Sequence, residues 1–254
     1  MKALVILPTY NEVETLPKVL SKLSAYNWLD ALIVDDNSAD GTAKVVEDWP
    51  GDLGRFHIIH RPMKLGLGSA YVTGFKWGLE CGYDYFFEMD SDLSHNPDSL
   101  PWFIKEMEKG GCDMVIGSRY TNGSISVVGW DFKRLLMSKF GNFYASKILG
   151  LNLSDLTSGF RCYRRRVLEA INLDRIYSNG YAFQIEMAYL AVKAGLKVGE
   201  MPIIFYERGH GSSKMSKKIV REAIILPWRL KLREIRDSIS KIFLKKKYVK
   251  EVSR

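Results

Sequence analysis

A chain of 254 residues that is 46% hydrophobic and 12% aromatic can bury one sizeable core, and its length suits a single large α/β domain. Three well-separated cysteines, Cys81, Cys112 and Cys162, with no CxxC pair, argue against a disulfide framework or a thiolate zinc site and read as inert thiols of a cytosolic chain. The net charge of +8 is unevenly placed: residues 1–213 carry 23 Lys and Arg against 25 Asp and Glu, whereas residues 214–254 carry 14 against 4.

A basic tail on a slightly acidic body points to an anionic surface as partner. Nucleic acid is the poorer fit, because it calls for basic residues interleaved with exposed aromatics on the body itself. The apolar run after Lys2 is only five residues, Ala3 to Leu7, shorter than the roughly 7–15 of a signal-peptide core. The longest uncharged stretches, 65–75 and 120–130, are eleven residues each, whereas a membrane span needs about 18 or more apolar residues. The expected organisation is therefore one domain over 1–213 and a basic tail over 214–254, peripheral to any membrane.

In chain order, the first element is the strand Ala3-Leu-Val-Ile-Leu7, stopped by the turn Pro8-Thr-Tyr-Asn11. A helix with Val13, Leu16, Leu20 and Leu23 on one face follows, then the strand Ala31-Leu-Ile-Val34, closed by Asp35-Asp36-Asn37-Ser38. Phe56-His-Ile-Ile59 is a third strand, with His57 and His60 read as strand residues rather than ligands. A helix bearing Ala70, Phe75 and Leu79 leads to strands over 83–89 and 113–116. Gly66 and Gly68, ahead of that helix, read equally as a helix-entry turn or as an anion cradle. Continuous apolar strands separated by helices imply a buried, mostly parallel sheet with helices on both faces. Beyond it, 129–149 reads as a long helix, 161–171 as a short strand turning into a helix, 181–194 as a helix, and 197–206 as a last strand with Pro202 at an edge or bulge.

In such a sheet, ligands bind beyond the carboxyl ends of the strands. Three of those ends carry polar clusters: 8–12, 35–40 and 90–92. The sharpest is Phe86-Phe-Glu-Met-Asp90-Ser91-Asp92, where alternate residues point to one side. That geometry puts the Asp90 and Asp92 carboxylates in one small volume, a donor set for Mg²⁺ or Mn²⁺ completed by substrate phosphate oxygens. No Ser-His-Asp constellation is present. Arginines stand out in Gly117-Ser-Arg119-Tyr, Asp131-Phe-Lys-Arg134 and Glu207-Arg208-Gly-His-Gly-Ser-Ser-Lys214, and Arg is the side chain suited to forked phosphate binding. The Gly/Ser loop between Arg208 and Lys214 reads as a flap over a diphosphate.

In the tail, Pro227 is expected to separate a helical stretch over 219–226 from a second beginning at Trp228. There Trp228, Leu232, Ile235, Ile239 and Ile242 form one apolar stripe among basic residues, with Lys245-Lys-Lys247 following. This suits a helix lying in a membrane interface. A stripe packed on the body, or received by a membrane subunit, are the alternatives.

Pro8-Thr-Tyr-Asn-Glu12, Val34-Asp-Asp-Asn-Ser-Ala-Asp-Gly-Thr42, Met89-Asp-Ser-Asp-Leu-Ser-His95 and Gly117-Ser-Arg-Tyr120 occur in the order seen in inverting family-2 glycosyltransferases of the GT-A fold. With Gly129-Trp-Asp-Phe-Lys-Arg134, Asp155-Leu-Thr-Ser-Gly-Phe-Arg161 and Tyr181-Ala-Phe-Gln-Ile-Glu186, residues 2–216 resemble dolichyl-phosphate mannosyltransferases. The resemblance implies transfer of mannose from GDP-mannose to dolichyl or another polyprenyl phosphate, for protein glycosylation or lipid-linked sugar assembly. It implies a guanosine pocket of Pro8, Tyr10, Glu12, Val34 and Asp36, and a metal on Asp90 and Asp92 with Ser91 between them. Arg119 would lie near the transferred sugar, Arg208 and Lys214 over the donor, and Trp130, Arg134 and Ser138 at the acceptor phosphate. Some relatives carry Gln at the position of Ser94, which is left out of the metal shell. Others end in membrane spans, so this chain resembles the type held at the cytosolic face of a membrane by other means, including small anchoring subunits. That membrane is the endoplasmic reticulum in a eukaryote and the plasma membrane in a prokaryote. A glucosyl-transferring relative of the same fold is the nearest alternative and a non-catalytic nucleotide-sugar sensor the more distant one. The sensor is disfavoured by the presence of Asp90, Asp92 and Arg119.

Overall fold

The structure, a computed structural model, describes residues 1–50, 54–121, 123–176, 178–207 and 221–236. The first half alternates strand and helix: β1 (Ala3–Thr9), α1 (Leu16–Leu23), β2 (Leu29–Asp35), α2 (Thr42–Glu47), β3 (Phe56–His60), α3 (Leu67–Glu80), β4 (Tyr85–Glu88), α4 (Leu100–Gly110) and β5 (Met114–Ser118). Then come β6 (Val127–Val128), α5 (Phe132–Leu149), β7 (Arg161–Arg164), α6 (Arg165–Ala170), α7 (Gly180–Lys193), β8 (Val198–Pro202) and β9 (Phe205–Tyr206). A helix over 221–236, here α8, completes the described chain.

The main sheet has seven strands in the order β3-β2-β1-β4-β7-β5-β8. Its two faces are written in alternate residues. Leu4 and Ile6 of β1 face the core shared with Tyr71, Phe75 and Phe183, while Val5 and Leu7 face the core shared with Leu16, Val19 and Phe103. Burial on both faces is why these strands read as unbroken apolar runs. Helix α3 lies very close to the sheet: a Cβ at Gly78 would stand 2.5 Å from the Phe86 ring and 2.8 Å from Leu4.

The sheet is parallel except for β7, which enters between β4 and β5 antiparallel to both, with Glu88 opposite Arg161. Arg161 is fully buried, and its guanidinium donates to the backbone carbonyls of Ser158, Leu156 and Gln184 at 2.7 Å each. Because β7 is antiparallel to both neighbours, β4 and β5 still run the same way, and their carboxyl ends stay on one edge.

Three expected boundaries shift. The helix expected from residue 129 begins at Phe132, because Asp131 caps it by accepting the Arg134 backbone N–H at 2.7 Å. The last strand divides in two: β8 ends at Pro202 on the sheet's edge, and β9 leaves to pair with β6. Pro227 does not interrupt the tail, since α8 runs through it. Proline costs that helix one backbone hydrogen bond. The burial of Leu226 and Leu230 in the same core as α7 offsets the loss.

Candidate active site

Strands β2, β1 and β4 are neighbours, so their carboxyl ends fall within about 10 Å of one another at ordinary strand spacing. The loops there are tied together by short polar side chains. Asp35 accepts the Thr9 hydroxyl at 2.9 Å and both the backbone N–H and the hydroxyl of Ser38 at 2.9 and 2.6 Å. Asn11 and Asn37 adopt φ of 60°, and the Asn11 N–H donates to Ser38 while the Asn11 side-chain oxygen accepts from Ala39. Glu12 donates its N–H to Thr42 at 2.9 Å. Asn and Asp tolerate left-handed backbone and supply local acceptors, which is why such residues fill these turns.

Asp36 forms a buried ion pair with Arg61 and also accepts the Leu65 N–H at 3.3 Å. Arg61 reaches on to Ser69 and the Gly66 carbonyl, so Asp36 shapes the 61–69 segment. Lys64 from that segment lies 3.8 Å over the Tyr10 ring, which is itself exposed. Val34 is fully buried in the core, so only its backbone faces the loops. Gly68 has a packing reason: a Cβ there would stand 2.5 Å from the Ser178 carbonyl.

Asp90, Ser91 and Asp92 follow β4 after Met89. The Ser91 hydroxyl donates to the Pro8 carbonyl at 3.1 Å, stapling this turn to the end of β1. The Asp90 N–H donates to His95 Nδ1 at 3.1 Å, and the His95 ring stacks on Phe160 at 4.8 Å. Asp92 is buried and accepts the Ser94 N–H at 3.0 Å together with the Ser94 hydroxyl. Two hard carboxylates one residue apart at the carboxyl edge of the sheet fit a small divalent cation whose remaining positions would go to water and phosphate. Beneath them, Glu88 accepts from Tyr163 and Gln184 at 2.7 Å each. Burial pushes the Glu88 carboxyl up to about 7, against the opposing pull of Arg161.

Arg119, after β5, is 4% exposed. Its guanidinium forks onto Asp155, with both N–H···O distances at 2.7 Å, and a third bond reaches Thr157 at 2.8 Å. Burial alone would raise the Asp155 carboxyl, but Arg119 outweighs it and holds the group below its usual range. Arg119 lies 5.2 Å from the Trp130 ring and 5.6 Å from Phe205, so it supports the next cluster from behind.

That cluster contains Trp130, Arg134 and Ser138. The Arg134 guanidinium sits 4.3 Å over the Trp130 ring and pairs with Glu207 at 2.6 Å. The Trp130 indole N–H is buried with no hydrogen-bond partner. Ser138 accepts the Tyr120 hydroxyl at 2.8 Å. Strand β9 joins the two halves of the site: Tyr206 donates its N–H to the Ser94 carbonyl, and Glu207 donates its own to Val128. Arg208, His210 and Lys214, and the tail beyond residue 236 with Ile239 and Ile242, lie outside the described residues.

Sequence reasoning missed Arg61, Glu88 and Glu207. Arg61 and Glu207 sit where a strand meets a loop with no periodicity to mark them, and Glu88 was read only as part of an apolar run.

Residues 4–171 match the family model described as glycosyl transferase family 2. Over 226 residues the chain is 45% identical to the undecaprenyl-phosphate mannosyltransferase of Micrococcus luteus, covering 89% of this chain and 92% of that one. It is 44% identical over 225 residues to the polyprenol monophosphomannose synthase of Mycolicibacterium smegmatis, covering 88% and 84%. Among solved structures, glucosyl-3-phosphoglycerate synthase of Mycobacterium tuberculosis in complex with Mn²⁺, UDP and glucosyl-3-phosphoglycerate superposes with a TM-score of 0.64 at 17% identity, over 89% of this chain and 78% of that one. The same enzyme with Mg²⁺ and UDP gives 0.64 at 18% identity, over 89% and 77%. These two share the GT-A arrangement of a mostly parallel sheet with helices on both faces.

Proposed function

Because the chain belongs to glycosyl transferase family 2, among its polyprenyl-phosphate mannosyltransferases, we propose that it transfers mannose from GDP-mannose to a polyprenyl phosphate with inversion at the anomeric carbon. The observation that carries the reading is a pair of phosphate-suited clusters linked by one strand. On one side is the Asp90/Asp92 turn, on the other the Trp130/Arg134 pair, with β9 bonded to Ser94 and Val128 between them.

The donor half is formed by the 8–12 and 35–40 loops. Tyr10 and Glu12 face the guanosine, Pro8 and Val34 contribute backbone, and Asp36 acts through Arg61 by fixing the segment that carries Lys64. Asp90 and Asp92, with Ser91 between them, would hold Mg²⁺ or Mn²⁺, which when bound would neutralise charge on the departing diphosphate. The same ions occur with UDP in the structural neighbours. Arg208 and Lys214 are assigned to the donor side of the site, and Arg119 acts by holding Trp130 and Thr157 in place beside the sugar.

The acceptor half needs no general base. A phosphate monoester has a second pKa near 6, so at neutral pH its oxygen is already largely the dianionic nucleophile. Arg134 offers a guanidinium, Trp130 an unpartnered N–H, and Ser138 a hydroxyl oriented by Tyr120. The nucleophile's electron pair forms the new C–O bond as the bonding pair to the diphosphate oxygen leaves with GDP. Positioning and charge stabilisation are the whole of the catalysis. The proposed acceptor is a membrane lipid, so this reading puts the enzyme at a membrane surface, on the cytosolic side; none of the described helices is long and apolar enough to cross a membrane.

The test is direct. Purified protein with Mg²⁺ or Mn²⁺ is given GDP-mannose, GDP-glucose or UDP-glucose and a polyprenyl phosphate, and the lipid extract is analysed. Mannosyl lipid formed from GDP-mannose alone supports the reading. Glucosyl lipid, or no lipid-linked sugar from any donor, overturns it.

A further inference from the structure

Half of the large exposed hydrophobic side chains described, ten of twenty, belong to α5 and α8. On α5, Phe132, Leu136, Phe140 and Phe143 follow at spacings of four, four and three, one stripe along a helix, and are 78, 59, 66 and 60% exposed. A monomeric surface rarely gathers that much apolar area without a partner. The same helix carries Lys133, Arg134, Lys139 and Lys147 and no acidic residue. On α8, Ile224, Trp228, Leu232 and Ile235 are exposed, whereas Leu226 and Leu230 turn into the core.

The two stripes adjoin. The Tyr144 hydroxyl of α5 donates to the Ile224 carbonyl at 3.0 Å, and the Trp228 indole N–H donates to the Tyr144 oxygen at 2.9 Å. Both acidic residues of α8 are engaged with the body or its own helix. Glu222 accepts from the Asn179 backbone, and Glu234 takes Tyr189, Lys193 and Lys231. Arg221, Arg229 and Arg236 remain exposed along the rim.

We propose that α5 and α8 form one continuous docking face that lies in the head-group layer of an anionic bilayer. Aromatic and aliphatic side chains enter the acyl boundary while the basic rim meets lipid phosphates. A second copy of the chain is the poorer occupant, because it would press Lys133, Lys139 and Lys147 of α5 against their like. Arg134 and Trp130 stand at the start of α5. The face therefore delivers the site to the plane of the lipid phosphates, and α5 rather than the tail alone provides the attachment. The proposal rests on the polyprenyl-phosphate reading only for this placement.

Full-length protein is sedimented with phosphatidylcholine vesicles containing phosphatidylglycerol, alongside the double variant Phe140→Ser, Phe143→Ser. Its folding is checked by thermal midpoint, which should match the parent because both rings are exposed. The parent is expected to sediment with the vesicles and the variant to bind weaker by about ten-fold for each aromatic removed. Transfer to a short-chain, water-soluble polyprenyl phosphate should be unchanged in the variant. Equal sedimentation of parent and variant overturns the proposal, as does a parent dimer that the substitutions dissolve without any vesicle binding. If vesicle binding depends on these rings but no donor yields lipid-linked sugar, the docking face stands and the functional reading falls.

Discussion

Replacing Asp155 by Asn would leave the Arg119 guanidinium buried without its counter-charge, and would turn one arm of the 2.7 Å fork into a donor facing a donor. Breaking a buried pair from one side costs about 3–5 kcal/mol, so Asp155→Asn should lower the urea midpoint well before any effect on substrate binding is considered. Glu88 has the opposite sign of perturbation. Its carboxyl is raised from 4.5 to about 7 by burial, so the folded protein holds a proton that the unfolded chain releases. Its contribution is full below the unfolded pKa and is lost as pH rises through the folded one. The stability of the parent relative to Glu88→Gln should therefore fall by on the order of 3 kcal/mol between about pH 4 and about pH 8. A flat difference in denaturation across that range would contradict it. Asp92→Ala is expected to abolish transfer even in saturating Mn²⁺, and near-normal turnover would remove the metal assignment. Of these residues the sequence singles out Asp92, from the i, i+2 spacing at a strand end, and Arg119, from its Gly-Ser-Arg-Tyr setting, but not Glu88. A buried ion pair such as Arg119–Asp155 joins positions 36 apart, and nothing local in the sequence marks the partner.

Strands and helices were largely legible because burial on two faces and burial on one face leave different periods in the sequence. Helix α1 buries Leu16, Val19, Leu20 and Leu23, and the expected apolar spacing names three of those four. The insertion of β7 between β4 and β5 was not legible. A four-residue strand carries no mark of direction or of neighbour, and its place between β4 and β5 shows only in the antiparallel pairing to both. The start of α5 was blurred for a related reason, since Gly129 and Trp130 fit a helical pattern until the cap at Asp131 is seen. Asp131→Ala should cost about 1 kcal/mol in thermal or chemical unfolding. It should also raise the acceptor KM, because the cap holds the backbone of Arg134. In α8, Leu230 is part of the core beside α7, so Leu230→Ala should cost about 2–5 kcal/mol. A truncation after residue 226 would remove that contact along with the exposed stripe, which makes surface substitutions the cleaner probe of membrane attachment.

Across the whole molecule, β9 is a segment that touches both halves of the site. It pairs with β6, donates the Tyr206 N–H to the Ser94 carbonyl, and is followed by Glu207 against Arg134. Glu207 is followed at once by Arg208, which the functional reading gives to the donor. On the proposed reading, the Glu207 carboxylate occupies the position that the lipid phosphate would take on Arg134. The pair is partly exposed, and such pairs contribute at most about 1 kcal/mol. Glu207→Gln should therefore lower the acceptor KM by no more than about five-fold while leaving GDP-mannose affinity nearly unchanged. Arg134→Ala should instead raise the acceptor KM or lower kcat with donor affinity again unaltered, and Arg208→Ala should weaken donor binding. Calorimetry with GDP-mannose and transfer kinetics with polyprenyl phosphate separate these outcomes. If donor affinity falls in Arg134→Ala and acceptor KM rises in Arg208→Ala, the two phosphate sites have been exchanged, and β9 joins them in the reverse sense.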